Sequence, residues 1–192
     1  MYWMNVSLDL RIEQVPGDHG AGEWLRITEE LHREFNTRAR NLALMVQGRI
    51  VHELMEEYWP RARQDESLPD VLREYGEIWC VAPKVLVSRT RTSAECNTRI
   101  IGDDAIEQLA VLRDRTGGTI GVGGAMLATQ LLRAGLLDEL LLFTHPSILG
   151  FGRPLFDDYD RPIDVDLLEQ RTFESGVTMH HYAIRDQSGA GS

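Results

Sequence analysis

The sequence predicts an α/β domain with a mostly parallel sheet, and three observations carry that expectation. Candidate strands and helices alternate along the chain. Leu140 to Thr144 is apolar at every position but the last, as in a strand covered on both faces in the middle of such a sheet. Thr119-Ile120 passes through Gly121-Val122-Gly123-Gly124-Ala125 into a strongly helical segment, Met126 to Ala134. A strand that turns through glycines into a helix leaves backbone N–H groups without partners. The helix dipole adds positive potential there, and the glycines let a phosphate approach the backbone.

The elements follow in order. Tyr2 to Leu8 reads as an opening strand. Pro16 to Gly22 reads as a long mobile loop, because glycines and a proline dominate it. Thr28 followed by Glu29 and Glu30 is an N-cap with acids in the first turn, and Leu31 and Phe35 share one helix face. Asn41 to Val46 is a continuously apolar strand that ends at Gln47-Gly48-Arg49. Ile50 to Tyr58 is helical in pattern, with Pro60 expected to stop it. A short helix is expected around Pro69 to Tyr75, then strands at Ile78 to Ala82, Lys84 to Ser88 and Asn97 to Ile101. Asp103 or Asp104 caps a further helix with Ile106, Leu109 and Ala110 on one face. Leu127, Ala128, Leu131 and Leu132 form the buried face of the helix after the glycine turn, and Gly135 ends it. Val165 to Phe173 and Val177 to Ile184, joined at Ser175-Gly176, predict a C-terminal antiparallel hairpin. Residues 1–187 are expected to form a single domain and residues 188–192 a disordered tail.

Composition narrows the function. The chain has 192 residues, a net charge of −10, 43% hydrophobic and 26% charged residues, which suit a globular protein with a substantial core. The acidic balance argues against a general nucleic-acid binder. No apolar run approaches the roughly 20 residues that span a bilayer, and no secretory signal opens the chain, so a cytoplasmic protein is expected. Two cysteines are too few for a disulfide framework or a four-thiolate zinc site. Adjacent strand residues point to opposite faces, so His180 and His181 do not share a metal, and no metal site is expected.

The glycine turn lacks the Gly-Lys-Ser/Thr of a Walker A loop. It also lacks the third glycine of a Rossmann fingerprint, where Met126 stands, and the acid closing the next strand, since Asp138 and Glu139 open it instead. What remains resembles the dihydrofolate-reductase-like superfamily, in the branch that includes the C-terminal reductase domain of bacterial riboflavin-biosynthesis deaminase/reductases. Val6-Ser7-Leu8-Asp9 is similar to that family's Ser-Leu-Asp-Gly strand end. Gly48-Arg49 with Glu53 is similar to its Gly-Arg-x-x-Tyr-Glu segment, and Lys84-Val85-Leu86-Val87-Ser88-Arg89-Thr90 to its Lys-x-Val-x-Ser-x-Thr strand. Gly123-Gly124-Ala125 through Leu131 to Leu140 resembles its Gly-Gly-x-x-Leu…Gly-Leu-Val-Asp-Glu signature, which Pro146 to Phe156 continues. Small stand-alone members also share Trp24 and Leu31-His32-Arg33…Phe35-Asn36. The motifs cover nearly the whole chain.

The resemblance implies a three-layer sandwich with a mixed sheet and an NADPH-dependent reductase. It implies that Gly121, Gly123, Gly124, Ala125 and Met126 take the cofactor pyrophosphate with Gly48, Arg49 and Ile50. Ser88, Arg89 and Thr90 would lie near the 2′-phosphate, and Val6 and Ser7 would line the nicotinamide. Arginines at 49, 89 and 91 suit a phosphate dianion; the bland alternative is solvated surface charge. Asp9 is the acid best placed by position, with a turn-forming role as its alternative. Glu30, with Glu29, is a second acid, with dipole capping as the preferred reading. Trp24 and Phe35 are candidates to stack on a flat heterocyclic substrate or, equally, to pack beneath the mobile loop. The family's glycine after Asp9 is Leu10 here, its tyrosine is His52, and Ile50 replaces a polar residue; these departures bear on the substrate. The expected function is hydride transfer to a small pteridine-, pyrimidine- or related cyclic substrate, in a homodimer. The alternatives are the riboflavin-pathway 5-amino-6-(5-phosphoribosylamino)uracil reductase and a catalytically idle nucleotide-binding module.

Overall fold

Eight strands and five helices follow one another in the computed structural model, which describes residues 1–13 and 22–185. They are β1 (Tyr2–Ser7), α1 (Glu29–Arg40), β2 (Leu42–Gly48), α2 (Arg49–Ala62), α3 (Asp70–Val81), β3 (Lys84–Val87), β4 (Thr98–Ile101), α4 (Ala105–Arg115), β5 (Thr119–Gly123), α5 (Ala125–Arg133), β6 (Glu139–His145), β7 (Val165–Thr172) and β8 (Thr178–Ile184). Most of the expected loop at 16–22 and all of the expected tail at 188–192 lie outside the described residues. No described helix is long and apolar enough to cross a membrane.

The chain divides into two compact units, Ile27–Leu127 and Met1–Arg26 with Ala128–Ser192. In the first, β2 pairs in parallel with both β3 and β5, and β3 in parallel with β4. Thr28 caps α1 as expected, its Oγ1 accepting the Leu31 N–H at 3.3 Å. Two elements differ from the sequence reading. Pro60 lies inside the last turn of α2 rather than ending it. Its missing N–H costs one bond near a terminus. Trp59 beside it packs on His32 and Tyr75 at ring-centroid distances of 5.8 and 4.4 Å, which holds that turn helical. The expected strand at Ile78 to Ala82 is instead the last turn of α3. Val71, Tyr75, Gly76, Trp79 and Cys80 bury a single face of that helix, and a short apolar run read alone does not distinguish strand from buried helix.

Lys84 closes α3. Its buried ammonium donates to the Trp79 carbonyl and, at 2.8 Å, to the Ala82 carbonyl, and lies 4.5 Å from the centroid of the Trp79 ring. A cation at the negative end of a helix satisfies orphan carbonyls and the dipole together.

In the second unit, β1 runs parallel to β6, and β6, β8 and β7 follow antiparallel. Leu140 to Phe143 is buried throughout, as the unbroken apolar run required, with Tyr2, Val6, Met179 and Val177 completing the core. The hairpin closes where Ser175-Gly176 predicts, Phe173 N–H donating to the Val177 carbonyl at 2.9 Å. Gly135, at φ +67°, ends α5; the Leu136 N–H reaches the Leu131 carbonyl at 2.9 Å and the Gly135 N–H reaches the Leu132 carbonyl at 3.1 Å.

Gly76 marks the tightest helix crossing. A Cβ there would lie 2.8 Å from the Trp59 carbonyl oxygen and 2.9 Å from the Arg63 amide nitrogen. Backbone cannot give way as a side chain can, so Gly76→Ala is expected to lower stability by about 1–3 kcal/mol despite its better helix propensity. Chemical denaturation of the two proteins measures it; an unchanged or raised midpoint would show that α2 and α3 do not cross this closely.

Candidate functional site

Two strand ends in the Ile27–Leu127 unit deliver two helices to one place. β2 ends at Gly48, which caps α2 with an extended backbone and no side-chain acceptor. β5 ends at Gly123, and Gly124, at φ +107°, turns the chain into α5. A Cβ on Gly124 would lie 3.7 Å from the Gly48 nitrogen, so the two helix starts adjoin. Val51 covers the turn, 3.3 Å from a Cβ position on Gly123 and 3.6 Å from that on Gly124. The first turns of α1, α3 and α4 each carry an acid, whereas those of α2 and α5 carry none. Helix starts attract anions; the chain withholds its own from these two. Ala125 is buried here and Met126 exposed. Gly121 has a different reason to be glycine: it lies within β5, where a Cβ would meet Leu42 Cδ1 at 2.6 Å.

Beside these helix starts β3 is followed by buried Ser88. Its Oγ accepts the Arg91 N–H at 3.1 Å and the Thr90 N–H at 3.3 Å, folding Ser88 to Arg91 into a tight turn with Arg89 and Thr90 exposed. Arg91 donates to Glu56 at 2.8 Å and to Glu53 at 3.4 Å, and Arg49 donates to Glu53 at 2.8 Å. Burial alone would raise the Glu56 carboxyl, but the Glu95 N–H and the Arg91 guanidinium outweigh it and hold it below the usual range. His52, which stands where the resembling family has tyrosine, is fully buried, with Nδ1 2.9 Å from the Gln47 amide oxygen and its ring against Trp79. Burial pushes its pKa down, so it packs as a neutral ring.

The other unit holds Val6, Ser7, Asp9 and Trp24. Val6 and Ser7 are fully buried at the end of β1. Asp9 accepts three hydrogen bonds: from the Ser7 hydroxyl at 2.6 Å, the Leu149 N–H at 3.0 Å and the Gly150 N–H at 2.8 Å. These donors, the Ser7 hydroxyl foremost and then the Leu149 amide, hold its carboxyl down to about 2. At neutral pH it is therefore a carboxylate clamping one loop to another. Its two amide partners lie 140 and 141 residues away, so this is not the local Asx turn of the alternative reading. Leu10, the departure from the family's glycine, keeps the glycine-like backbone at φ +56°. Around the clamp Leu8, Leu10, Ile148 and Phe151 are exposed.

Trp24 is buried with its ring 5.4 Å from His145 and near perpendicular to it. Phe35, in the other unit, is buried 5.8 Å from His32. Glu30 lies half-buried in the first turn of α1. The described residues contain no cluster of three or more histidine, cysteine or acidic side chains able to hold a metal.

His145 was not singled out by sequence reasoning, yet it organises the unit. It is fully buried; its Nδ1 accepts the Arg26 N–H at 2.9 Å and its Nε2 lies 3.1 Å from the Asn5 Oδ1. An Nε2-protonated, neutral ring satisfies both partners. The register of β1 against β6, Ser7 beside His145, is the signal that would have found it.

Residues 1–179 match the family model of the RibD C-terminal domain. An uncharacterised protein of Bacillus subtilis strain 168, YyaP, is 30% identical over 178 residues, 92% of this chain and 90% of that protein. A crystal structure from Shewanella sp. PV-4, assigned to riboflavin biosynthesis, superposes with a TM-score of 0.72 at 18% identity, covering 96% of this chain and 98% of that one. Dihydrofolate reductase from Enterococcus faecalis, determined with NADP(H), superposes with a TM-score of 0.60 at 14% identity, covering 96% and 95%. The fold is that of the dihydrofolate-reductase-like three-layer sandwiches, with a mostly parallel mixed sheet and an antiparallel C-terminal hairpin.

Two expectations follow from the geometry. Asp9→Asn replaces an acceptor oxygen by an NH2 group facing amide donors, so the melting temperature is expected to fall. A wild-type melting curve with lost turnover would instead make Asp9 a chemical participant. Burial, reinforced by the Arg26 charge, depresses His145 to about 4 from the ordinary 6.5. Between these values the unfolded chain binds the proton and the folded chain does not. The contribution of His145 is thus complete above about pH 6.5 and lost as pH falls toward 4. Urea midpoints across that range are expected to fall, and His145→Gln to reduce the slope by about one proton; an unaltered slope would show that another group titrates.

Proposed function

We propose, on the premise that this chain belongs to the RibD C-terminal domain family, that it is an NADPH-dependent reductase of a small cyclic substrate of the pteridine or pyrimidine kind. The family and the fold support a reductase-type activity in general. The observation that carries the cofactor reading is the pair of adjoining helix starts, Gly48 into α2 and Gly124 into α5, kept free of acidic side chains. A pyrophosphate is the anion that two such starts suit, since each takes one phosphate through backbone N–H groups. Ile50 and Met126 add no competing charge. Arg89, exposed on the Ser88 turn, and Arg49 and Arg91 provide donors for a 2′-phosphate.

Bound reduced nicotinamide supplies a hydride; what the chain contributes is binding, orientation and a dry surface. We assign Val6 and Ser7 to the nicotinamide side and Asp9 to positioning rather than proton donation. A carboxyl held down to about 2 carries no proton at neutral pH. By clamping the loop at Leu149 and Gly150, Asp9 holds Leu8 and Leu10 on one loop and Ile148 and Phe151 on the other as exposed apolar side chains, of the kind that pack on a flat heterocycle. Trp24 and Phe35 are both buried, which favours packing within their own units over stacking on a substrate. The riboflavin-pathway reductase is the narrower reading, tested by complementing a strain that lacks that enzyme.

Isothermal calorimetry tests the cofactor. NADPH is expected to bind saturably and more tightly than NADH, and Ile50→Glu, which places an anion in the first turn of α2, to weaken it by tenfold or more while leaving the fold intact by circular dichroism. No saturable uptake at millimolar NADPH would remove the reductase reading, and equal affinity for NADH would remove the 2′-phosphate assignment alone.

A further inference from the structure

The chain has two cysteines, and the Ile27–Leu127 unit brings them together. Cys80 is buried in the last turn of α3, and Cys96 is half-buried just before β4. Their Sγ atoms are 3.0 Å apart. A sulfur–sulfur bond is roughly 2.05 Å long, so about 1 Å of movement joins them. The approach is held in place by backbone. Cys96 and Asn97 are consecutive left-handed residues, at φ +53° and +54°, a conformation uncommon outside glycine that asparagine adopts more readily than cysteine. Asn97 Nδ2 donates to the Val81 carbonyl at 2.8 Å, and the Lys84 N–H donates to the Asn97 carbonyl at 3.0 Å. The first bond ties the turn that bears Cys96 to the end of the helix that bears Cys80, and the second ties it to the start of β3.

The pair has an entrance. A cavity of about 520 Å³ is lined by Pro83, Lys84, Glu95, Cys96 and Asn97, among other residues of this unit. Cys96 lines it and Cys80 does not, so a small reagent meets Cys96 first and finds Cys80 in contact behind it. Burial, with the Cys96 thiol beside it, pushes the Cys80 thiol up to about 12, so Cys80 is not the thiol that begins an exchange.

We propose that Cys80 and Cys96 form a dithiol site that closes to an intramolecular disulfide by exchange with a small disulfide of the glutathione type. The Cys96 thiolate attacks one sulfur of the small disulfide, breaking its S–S bond and releasing one small thiol. Cys80 then attacks Cys96 Sγ and releases the second. The two protein thiols are oxidised, the small disulfide is reduced to two thiols, and the two protons lost by the protein end on them. The bond closes a ring over the segment that carries Ser88, Arg89 and Arg91, already tied to α2 through Glu56.

The test uses the reduced full chain mixed with oxidised glutathione and read by intact mass and peptide mapping. The wild type is expected to lose two hydrogens, to yield the Cys80 and Cys96 peptides linked, and to recover both thiols with dithiothreitol. Cys80→Ser is expected to stop at one glutathione on Cys96. A wild type that keeps both thiols, or that holds a stable glutathione adduct in place of the cross-link, overturns the proposal, and the wild-type result decides alone if the variant does not fold.

Discussion

A Cβ at Gly124 would lie 3.7 Å from the Gly48 nitrogen, and one at Gly48 would lie 3.8 Å from the Gly123 carbonyl oxygen. Two parallel strand ends, β2 and β5, are therefore neighbours, at distances that are ordinary van der Waals contacts for a Cβ. The register makes this possible, with Val46 beside Val122 and Gln47 beside Gly123 in a parallel pair whose helices both leave from the same end. Parallel pairing is what puts two positive helix ends together; an antiparallel pair would separate them. Gly124 adds the left-handed backbone that turns β5 into α5. Everything assigned to cofactor recognition in this unit inherits its position from that junction. The Ser88 turn ends β3, which is the other neighbour of β2.

Charged residues near the junction are placed by a consistent rule. Acids open α1, α3 and α4, where they complement the dipole and no ligand is expected. Glu53 and Glu56 lie one and two turns into α2, where they hold Arg49 and Arg91 instead of competing for the first amides. In the other unit Asp9 does the reverse of what its position first suggests. It is an anion among amide donors, an interaction that orders a loop and consumes the proton-donating capacity of the carboxyl.

Much of this was legible in the chain itself. The glycine turn, the Thr28 cap, the unbroken apolar run of β6 and the hairpin at Ser175-Gly176 are local signals with local causes, and each is where the residues placed it. Gly121 shows the limit of reading a motif as a unit: it belongs to the same glycine run, yet its neighbour is the Leu42 side chain. Pro60 and the end of α3 were misread because tertiary packing, Trp59 on Tyr75 and Trp79 on Lys84, overrides what those residues prefer alone. The contact of Cys80 with Cys96, the Arg91–Glu56 pair and the His145 network join residues 16, 35 and up to 140 positions apart. No spacing rule reaches that far, so only the assembled sheet reveals them.

The proposed phosphate site asks how an acidic protein would bind an anion at arginines that are already engaged. Arg49 and Arg91 are already paired, sharing Glu53, so a phosphate would compete with that carboxylate. The Arg49–Glu53 pair is partly exposed, however, at 48% and 36%, while Arg91 is held more deeply by Glu56, at 27% and 16%. An exposed ion pair contributes roughly 0–1 kcal/mol, because water and side-chain entropy offset most of the attraction. A phosphate dianion offers more charge and a geometry that a guanidinium fork meets with two bonds. Exchanging a carboxylate for it therefore costs little and gains a charge-assisted pair. Glu53 in this account keeps the two guanidinium groups extended and near each other until that exchange. Without it, two long cations beside two positive helix ends would repel one another and spread into solvent, and the order a phosphate needs would have to be created on binding.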